Sequence, residues 1–462
     1  MTESTAPSQS ENKLGVMPVS KLILNVSLPM MFSMFIQALY NIVDSMFVAK
    51  INEQALTAVS LAFPIQNLMI SFSIGTAVGV NALLATRLGQ KNQEAVNKAA
   101  INGLFLALCT AVAFILLGLV IIHPYLASQT KDNDIITYGT QYLNVIMLLS
   151  LGLFEVVMLD KILQGTGLTF YTMISQLCGA VCNIIFDPLL IFGLGPFPRM
   201  GITGAAVATV MGQFLSMGVS FAYNVKKNKY VQFNFKDFKP DVQIIKQVYA
   251  VGIPTILINA ISSVTTYLVN LILGMFSMTA IALYGVYFKL NSFIFMPLFG
   301  LNNGLVPIIA FNYGAQSRER IVKTIKLGLL YSCSIMLFGT VLFELIPGSL
   351  LSIFSASDDM LSIGIPALRI IASSFVGAAI AITLSSVFQA FSSAVYSMIV
   401  SFSRQLLVLL PVAYFMAKTG NLNNVWLCFP IAEIASVSLS IFFMVWTYRT
   451  KLNTIPAKLN AT

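Results

Sequence analysis

The stretch LILNVSLPMMFSMFIQALYNIVDSMFVA, residues 22–49, contains a single charged side chain, that of Asp44. A helix rises 1.5 Å per residue, so about 20 apolar residues cross the hydrocarbon core of a bilayer. The stretch is therefore long enough to form a membrane-spanning helix. An acid within such a helix is costly to insert and is expected to have a function.

Composition indicates that this stretch is one of many. The chain has 462 residues, of which 57% are hydrophobic and 9% are charged, with a mean hydropathy of +0.85. Soluble domains carry about 25% charged residues. These values predict an all-α polytopic membrane protein. Twelve spans are predicted at residues 22–49, 57–83, 97–122, 135–159, 170–194, 202–223, 246–276, 280–308, 324–346, 362–384, 394–417 and 425–447.

The basic residues predict the orientation of the spans. The net charge is +9, and with the N-terminus inside, eighteen of the 26 Lys and Arg residues fall in cytoplasmic loops and tails. Four fall on the other side, at Lys50, Lys131, Arg199 and Lys418. This is the positive-inside bias, so both termini are expected to be cytoplasmic and no nucleic-acid partner is expected. The polar start MTESTAPSQSEN has no basic segment, and we expect no cleaved signal peptide.

The two halves of the chain repeat. At an offset of 225 residues, nine landmark residues coincide without a gap: Pro29/Pro254, Gly75/Gly300, Gly79/Gly304, Gly89/Gly314, Gly103/Gly328, Gly152/Gly377, Gln164/Gln389, Tyr171/Tyr396 and Gly195/Gly420. Six spans per half give both halves the same orientation, so the repeats are parallel about an axis along the membrane normal. The predicted segments are an N-terminal tail (1–20), a first lobe (21–223), a cytoplasmic linker (224–243), a second lobe (244–448) and a C-terminal tail (449–462). This organisation is typical of transporters.

Six strings, in order, carry a resemblance that covers the whole chain except its tails. They are SLPMMFSMFIQALYNIVDSMFV, RLGQKNQEAVNKA, LQGTGLTFYTMI, NIIFDPLLIFGLGPFPRMGITGAAVAT, GIPTILINAISS and GLNNGLVPIIAFNYGA. Together they resemble the multidrug and toxic compound extrusion (MATE) family, in its bacterial DinF-like branch. The resemblance implies a secondary active antiporter in the bacterial cytoplasmic (inner) membrane. It would export amphipathic organic cations in exchange for H⁺ or Na⁺ by alternating access, as a monomer among membrane lipids and without a cofactor.

Asp187 is the leading candidate for ion coupling. Asn183 precedes it by four residues and shares its helical face. Pro188 follows directly and removes a backbone hydrogen bond, so a carbonyl, an amide and a carboxylate come together. Such oxygens suit a proton or a weakly held Na⁺. The resemblance adds Asp44 and Thr209, and implies that all four residues form the cation site of the first lobe.

Other residues of the first lobe are candidates for substrate contact. Gln37 and Tyr40 lie seven and four residues before Asp44, on its face of the first span. The resemblance implies that these two positions border the drug cavity, and Asp160 is a candidate for coupling or substrate contact. Lys161 beside it is predicted to mark the cytoplasmic boundary. Pro29 and Pro188 are the predicted hinges.

The second lobe lacks the matching acids. The offset places Val269, Ser385 and Val412 opposite Asp44, Asp160 and Asp187, so coupling is expected in the first lobe alone. The sequence leaves open the roles of Glu155, Lys289 and Glu433. It also leaves open whether Glu433 pairs with Lys289 or with Arg404. Glu344 is expected near an outer helix end.

The alternative function is a lipid-linked or polysaccharide flippase of the wider superfamily. Its members often have additional helices and more basic cavities, whereas this chain has twelve spans with acids in one lobe. We do not expect an enzyme, because the single histidine, His123, has no nucleophile near it in a catalytic arrangement. There is also no Walker motif for ATP.

Overall fold

The computed structural model describes residues 12–234, 236, 238–354 and 357–456, and these residues form helices and connecting turns without strands. The first half consists of α1 (Lys13–Val16), α2 (Val19–Ala49), α3 (Glu53–Gly89), α4 (Gln93–Gln129), α5 (Asn133–Leu148), α6 (Leu151–Gly165), α7 (Thr169–Phe192) and α8 (Ile202–Lys226). The second half consists of α9 (Val242–Gly274), α10 (Met278–Gly314), α11 (Arg318–Leu345), α12 (Pro347–Ser352), α13 (Asp358–Ala372), α14 (Phe375–Ala390), α15 (Ala394–Phe402), α16 (Leu410–Ala417), α17 (Leu422–Trp426) and α18 (Cys428–Thr447). Two π-helical segments, Ser403–Leu409 and Tyr448–Leu452, continue α15 and α18.

The described residues supply the twelve predicted spans, but two of the spans are broken. Ten helices, or runs of helices, are long and apolar enough to cross a membrane. The remaining two spans are the pairs α5–α6 and α13–α14, each bent by 46° at a short break. The sequence predicted each pair as a single span. Because the two breaks occupy equivalent places in the two halves, the bend belongs to the repeat.

The two lobes meet along four helices. In the first lobe, α2 packs against α7, and α3 packs against α4 and α6. Across the lobes, α2 packs against α10, and α3 packs against α9 and α10. The helix α2 therefore lies between α7 of its own lobe and α10 of the other.

Three of the repeated glycine pairs lie at this contact between the lobes. A side chain at Gly79 would collide with the backbone of Val248, and one at Gly304 would collide with Ser27. Gly75 and its repeat partner Gly300 meet the opposite lobe in the same way. Only glycine lets the helix backbones approach this closely. Part of the internal repeat seen in the sequence thus marks the surface where the lobes touch.

The described part of the predicted N-terminal tail is packed rather than free. Asn12 donates its side-chain amide to the carbonyl of Thr166 at 3.1 Å, in the first lobe. Leu14 is fully buried, and its carbonyl accepts a hydrogen bond from Arg320 of the second lobe at 3.0 Å. Arg320 also donates to the carbonyl of Met17 at 2.8 Å. This segment therefore bridges the two lobes at their predicted cytoplasmic side.

Candidate functional site

The candidate site is centred on two carboxyl groups from different helices. Asp44 of α2 and Asp187 of α7 lie close enough for their side chains to share a hydrogen bond. The Asp187 side chain is fully buried. Asp44 Oδ1 is also buried and has no donor among the described residues. Two carboxyl groups can share a hydrogen bond only when one of them carries a proton, so the pair is suited to hold a proton.

Asn183 connects this pair to α8. With the amide oriented so that its nitrogen faces Asp187, it donates to Asp187 Oδ2 at 2.9 Å. Its oxygen then accepts from the hydroxyl and the backbone N–H of Thr209, each at 3.3 Å. The four residues predicted for ion coupling therefore converge at one place, as three helices bring them together. Their role in coupling remains a prediction.

Two residues that sequence reasoning missed stand beside the carboxyl pair. The Tyr142 side chain of α5 lies near the carboxyl groups of both Asp44 and Asp187. Its hydroxyl accepts a hydrogen bond from Gln66 Nε2 at 3.1 Å. Both are polar side chains within apolar spans, which was the only signal the sequence offered.

A cavity of about 280 Å³ leads away from this cluster. Part of its lining is polar and consists of Gln37, Tyr40, Gln66, Asn183 and Thr209. Another part is apolar and consists of Met34, Ile36, Met69, Ile70, Ile74, Leu153, Val156 and Val157. Gln37 and Tyr40 thus border a cavity, and its use by a drug stays a prediction. A molecule with an apolar body and polar groups would match this lining.

Asp160 and Lys161 also line the cavity. The Asp160 carboxylate accepts from the Ser220 hydroxyl at 2.7 Å and from Gln176 Nε2 at 2.9 Å. Lys161 Nζ donates to Asn303 Oδ1 of α10 at 2.9 Å. The Lys161 side chain is buried, with 9% exposure, and its ammonium contacts the opposite lobe. Its placement at the cytoplasmic boundary stays a prediction. The sequence alone could not indicate this contact with the opposite lobe.

The predicted hinges lie inside continuous helices. Pro29 is in the first half of α2, and Pro188 directly follows Asp187 within α7. The missing N–H of Pro188 leaves the helix unbroken over Thr169–Phe192. Movement at either proline remains a prediction.

The second lobe contains a partly buried ion pair. Arg404 Nη1 lies 3.1 Å from Glu433 Oε2, so Arg404 is the partner of Glu433. Lys289 lies over the ring of Phe354 instead. At the surface, Glu344 lies 3.9 Å from Arg369, and both side chains are about half exposed. This placement agrees with the expected position of Glu344 near a helix end. Glu155 is partly buried in α6.

Two repeated helical lobes, with a buried carboxyl pair beside a cavity in one of them, define a multi-pass membrane protein of the transporter type. The model of the MatE family matches the chain twice, over residues 29–189 and 254–415. The two matches start 225 residues apart (254 − 29), the offset of the repeat. The chain therefore belongs to the MatE family, and the family prediction is confirmed.

Two relatives are each 25% identical in sequence to this chain. The multidrug export protein MepA of Staphylococcus haemolyticus is 25% identical over 96% of each chain. A FAD transporter of Shewanella oneidensis is 25% identical over 90% of this chain and 92% of its own. The solved structure of a MOP superfamily transporter from Pyrococcus furiosus superimposes with a TM-score of 0.88 at 23% identity, over 96% and 98% of the two chains. This likeness confirms the two-lobed all-helical fold.

Proposed function

We propose that this protein is a secondary active antiporter that exports amphipathic organic cations in exchange for H⁺ or Na⁺. Membership of the MatE family and similarity to a protein named for multidrug export support a transporter of small molecules. The observation that carries the proposal is the Asp44–Asp187 pair, which is hydrogen-bonded to the cavity-lining residue Asn183. It supplies buried negative charge within reach of both an ion and a cationic cargo.

The carboxyl pair couples ion entry to cargo export, because the ion and the cargo compete for its negative charge. A proton, or a Na⁺ held by the oxygens of Asp44, Asp187, Asn183 and Thr209, neutralises the charge that attracts an organic cation. The bound ion and the cargo therefore lower each other's affinity by the same factor, as linkage requires. Bending of α2 at Pro29 would let this competition change the shape of the lobe.

The size of the cavity supports a small cargo. About 280 Å³ is near the lower limit of pockets that hold single drug-sized molecules. A lipid-linked saccharide would need a longer and wider space. A flippase is therefore the weaker alternative for this structure.

The positive-inside bias supports placement in the bacterial cytoplasmic membrane with both termini cytoplasmic. The protein would act as a monomer surrounded by lipid, with its spans contacting the acyl chains and with no cofactor. The coupling ion is a transported species rather than a resident metal.

Transport in liposomes tests the proposal. The purified chain is reconstituted with a fluorescent organic cation, and a pH gradient or a Na⁺ gradient is imposed separately. We expect uphill movement of the cation with at least one gradient, and its loss when the gradient is collapsed by an ionophore. Movement that proceeds only downhill, or none at all, would refute the antiporter.

A further inference from the structure

The buried ammonium of Lys161 has unused hydrogen-bonding capacity in the cavity. It is the one cation among the residues that line the cavity in the described part of the chain. Of its three donors, one is used by Asn303 at 2.9 Å. The ion pairs of the described residues do not include it, although Asp160 is its neighbour in sequence. Asp160 points its oxygens at Ser220 and Gln176 instead.

Three other side chains that line the cavity carry buried polar atoms without partners. Gln164 Oε1, Gln176 Oε1 and Ser33 Oγ are buried, and within the described residues they accept or donate no hydrogen bond. All three side chains line the cavity with Lys161. Buried polar groups are normally satisfied, so a cluster of unsatisfied groups around a cavity indicates a polar ligand group or water.

Cargo that fills the cavity must displace water from around these groups. A ligand with a purely apolar end would leave the ammonium with one hydrogen bond in a dry site, which is costly. A ligand with a carboxylate there would satisfy it. A site built to bond a polar group discriminates strongly against an analogue that lacks the group.

We propose that Lys161 makes the transporter select zwitterionic amphiphiles, whose cationic group lies toward Asp44 and Asp187 and whose carboxylate binds Lys161. This inference rests on the proposed function and names the cargo of the same cavity. The apolar lining of the cavity takes the body of the molecule, the carboxylate meets Lys161, and the cationic group lies beside Asn183, which lines the cavity and bonds Asp187.

The test compares a zwitterionic xanthene dye that has a free carboxylate with the methyl ester of the same dye, which is purely cationic. The quantity measured is the ratio of kcat/KM for the acid to that for the ester, in liposomes. In Lys161→Gln, which keeps a hydrogen bond to Asn303 within reach, we expect this ratio to fall about tenfold or more, the value of one lost charged hydrogen bond. The matched control is Lys289→Gln, where the lost cation lies in the second lobe and the ratio stays at the wild-type value.

A second variant guards against misfolding of the first. Asn303→Asp gives Lys161 a permanent carboxylate partner without changing side-chain shape, so the ratio should fall here too. An unchanged ratio in both variants would overturn the role of Lys161. If the wild-type protein transports neither dye, the proposed antiporter function is refuted, and the role of Lys161 is judged by a separate measurement. The ratio of equilibrium binding constants for acid and ester, measured in detergent, then decides the role of Lys161 by the same criterion.

Discussion

Asp44 of α2 and Asp187 of α7, 143 residues apart in sequence (187 − 44), bring their carboxyl groups within hydrogen-bonding reach of each other. Two like charges at this distance repel strongly, so the pair favours the state that holds one proton or one bound cation. The two groups therefore titrate as a pair.

Neutralising either acid should uncouple transport. Asp44→Asn and Asp187→Asn keep the side-chain shape but cannot release or take up a proton. We expect gradient-driven efflux to fall at least tenfold in each variant, measured in liposomes with an imposed pH or Na⁺ gradient. Glu344→Gln is the control, because that acid is half exposed at the surface beside Arg369 and should transport like the wild type. Wild-type coupling in both Asp variants would remove the pair from the mechanism.

Thr209 should tune the affinity for the ion. Thr209→Val removes the hydroxyl that bonds Asn183 and leaves the backbone N–H in place. One neutral hydrogen bond contributes about 1 kcal/mol, so the apparent affinity for the coupling ion should change about fivefold. Thr209→Ser should restore it. The measurement is the ion concentration that gives half-maximal efflux, and equal values in all three proteins would exclude Thr209 from the site.

The glycine contacts between the lobes should tolerate no side chain. Gly79→Ala would force a methyl group into the backbone of Val248, and such overpacking costs about 1–3 kcal/mol. We expect a lower thermal midpoint in detergent. Gly218→Ala in α8 is the matched control, since its new methyl group meets nothing within 4 Å. It should be neutral or slightly stabilising, because alanine favours a helix more than glycine does.

The bridge made by the N-terminal segment should depend on Arg320. Arg320→Gln loses charged hydrogen bonds to the carbonyls of Leu14 and Met17, at a cost of about 1–3 kcal/mol. We expect faster proteolysis within residues 12–18. Lys323→Gln, an exposed cation one turn further along α11, serves as the control and should be cleaved at the wild-type rate. If Arg320→Gln is cleaved at the same rate as Lys323→Gln, the hydrogen bonds of Arg320 do not hold residues 12–18 in place.

The partly buried ion pair of the second lobe should be sensitive to the loss of one partner. Arg404→Gln leaves the buried Glu433 carboxylate without compensation, which costs about 3–5 kcal/mol. Glu433→Gln should cost less, because the Arg404 side chain that it leaves unpaired is 29% exposed. The double variant should recover most of this stability. Thermal unfolding of the three variants measures the coupling. Additive losses would mean that the 3.1 Å contact contributes nothing specific.

The sequence predicted the features that depend on local pattern. Hydropathy placed twelve spans, and helical spacing placed Asn183 beside Asp187. It could not show that the spans at 135–159 and 362–384 are parts of bent pairs, because their hydropathy is continuous across each break. It also missed the contact of Lys161 with Asn303, since a bond between residues 142 positions apart leaves no trace in spacing. The partner of Glu433 stayed open for the same reason.

The burial of α2 is uneven along its length. Seven of its nine buried residues lie between Val19 and Ser33, against α10, and Ser27 donates to the carbonyl of Leu301 at 3.1 Å. Asp44 lies in the sparsely packed remainder. In mechanical terms, α2 is a beam fixed to the opposite lobe over residues 19–33 and less constrained where it carries Asp44. Pro29 lies within the fixed part, so any force applied at Asp44 would act on it through a lever arm of about 22 Å.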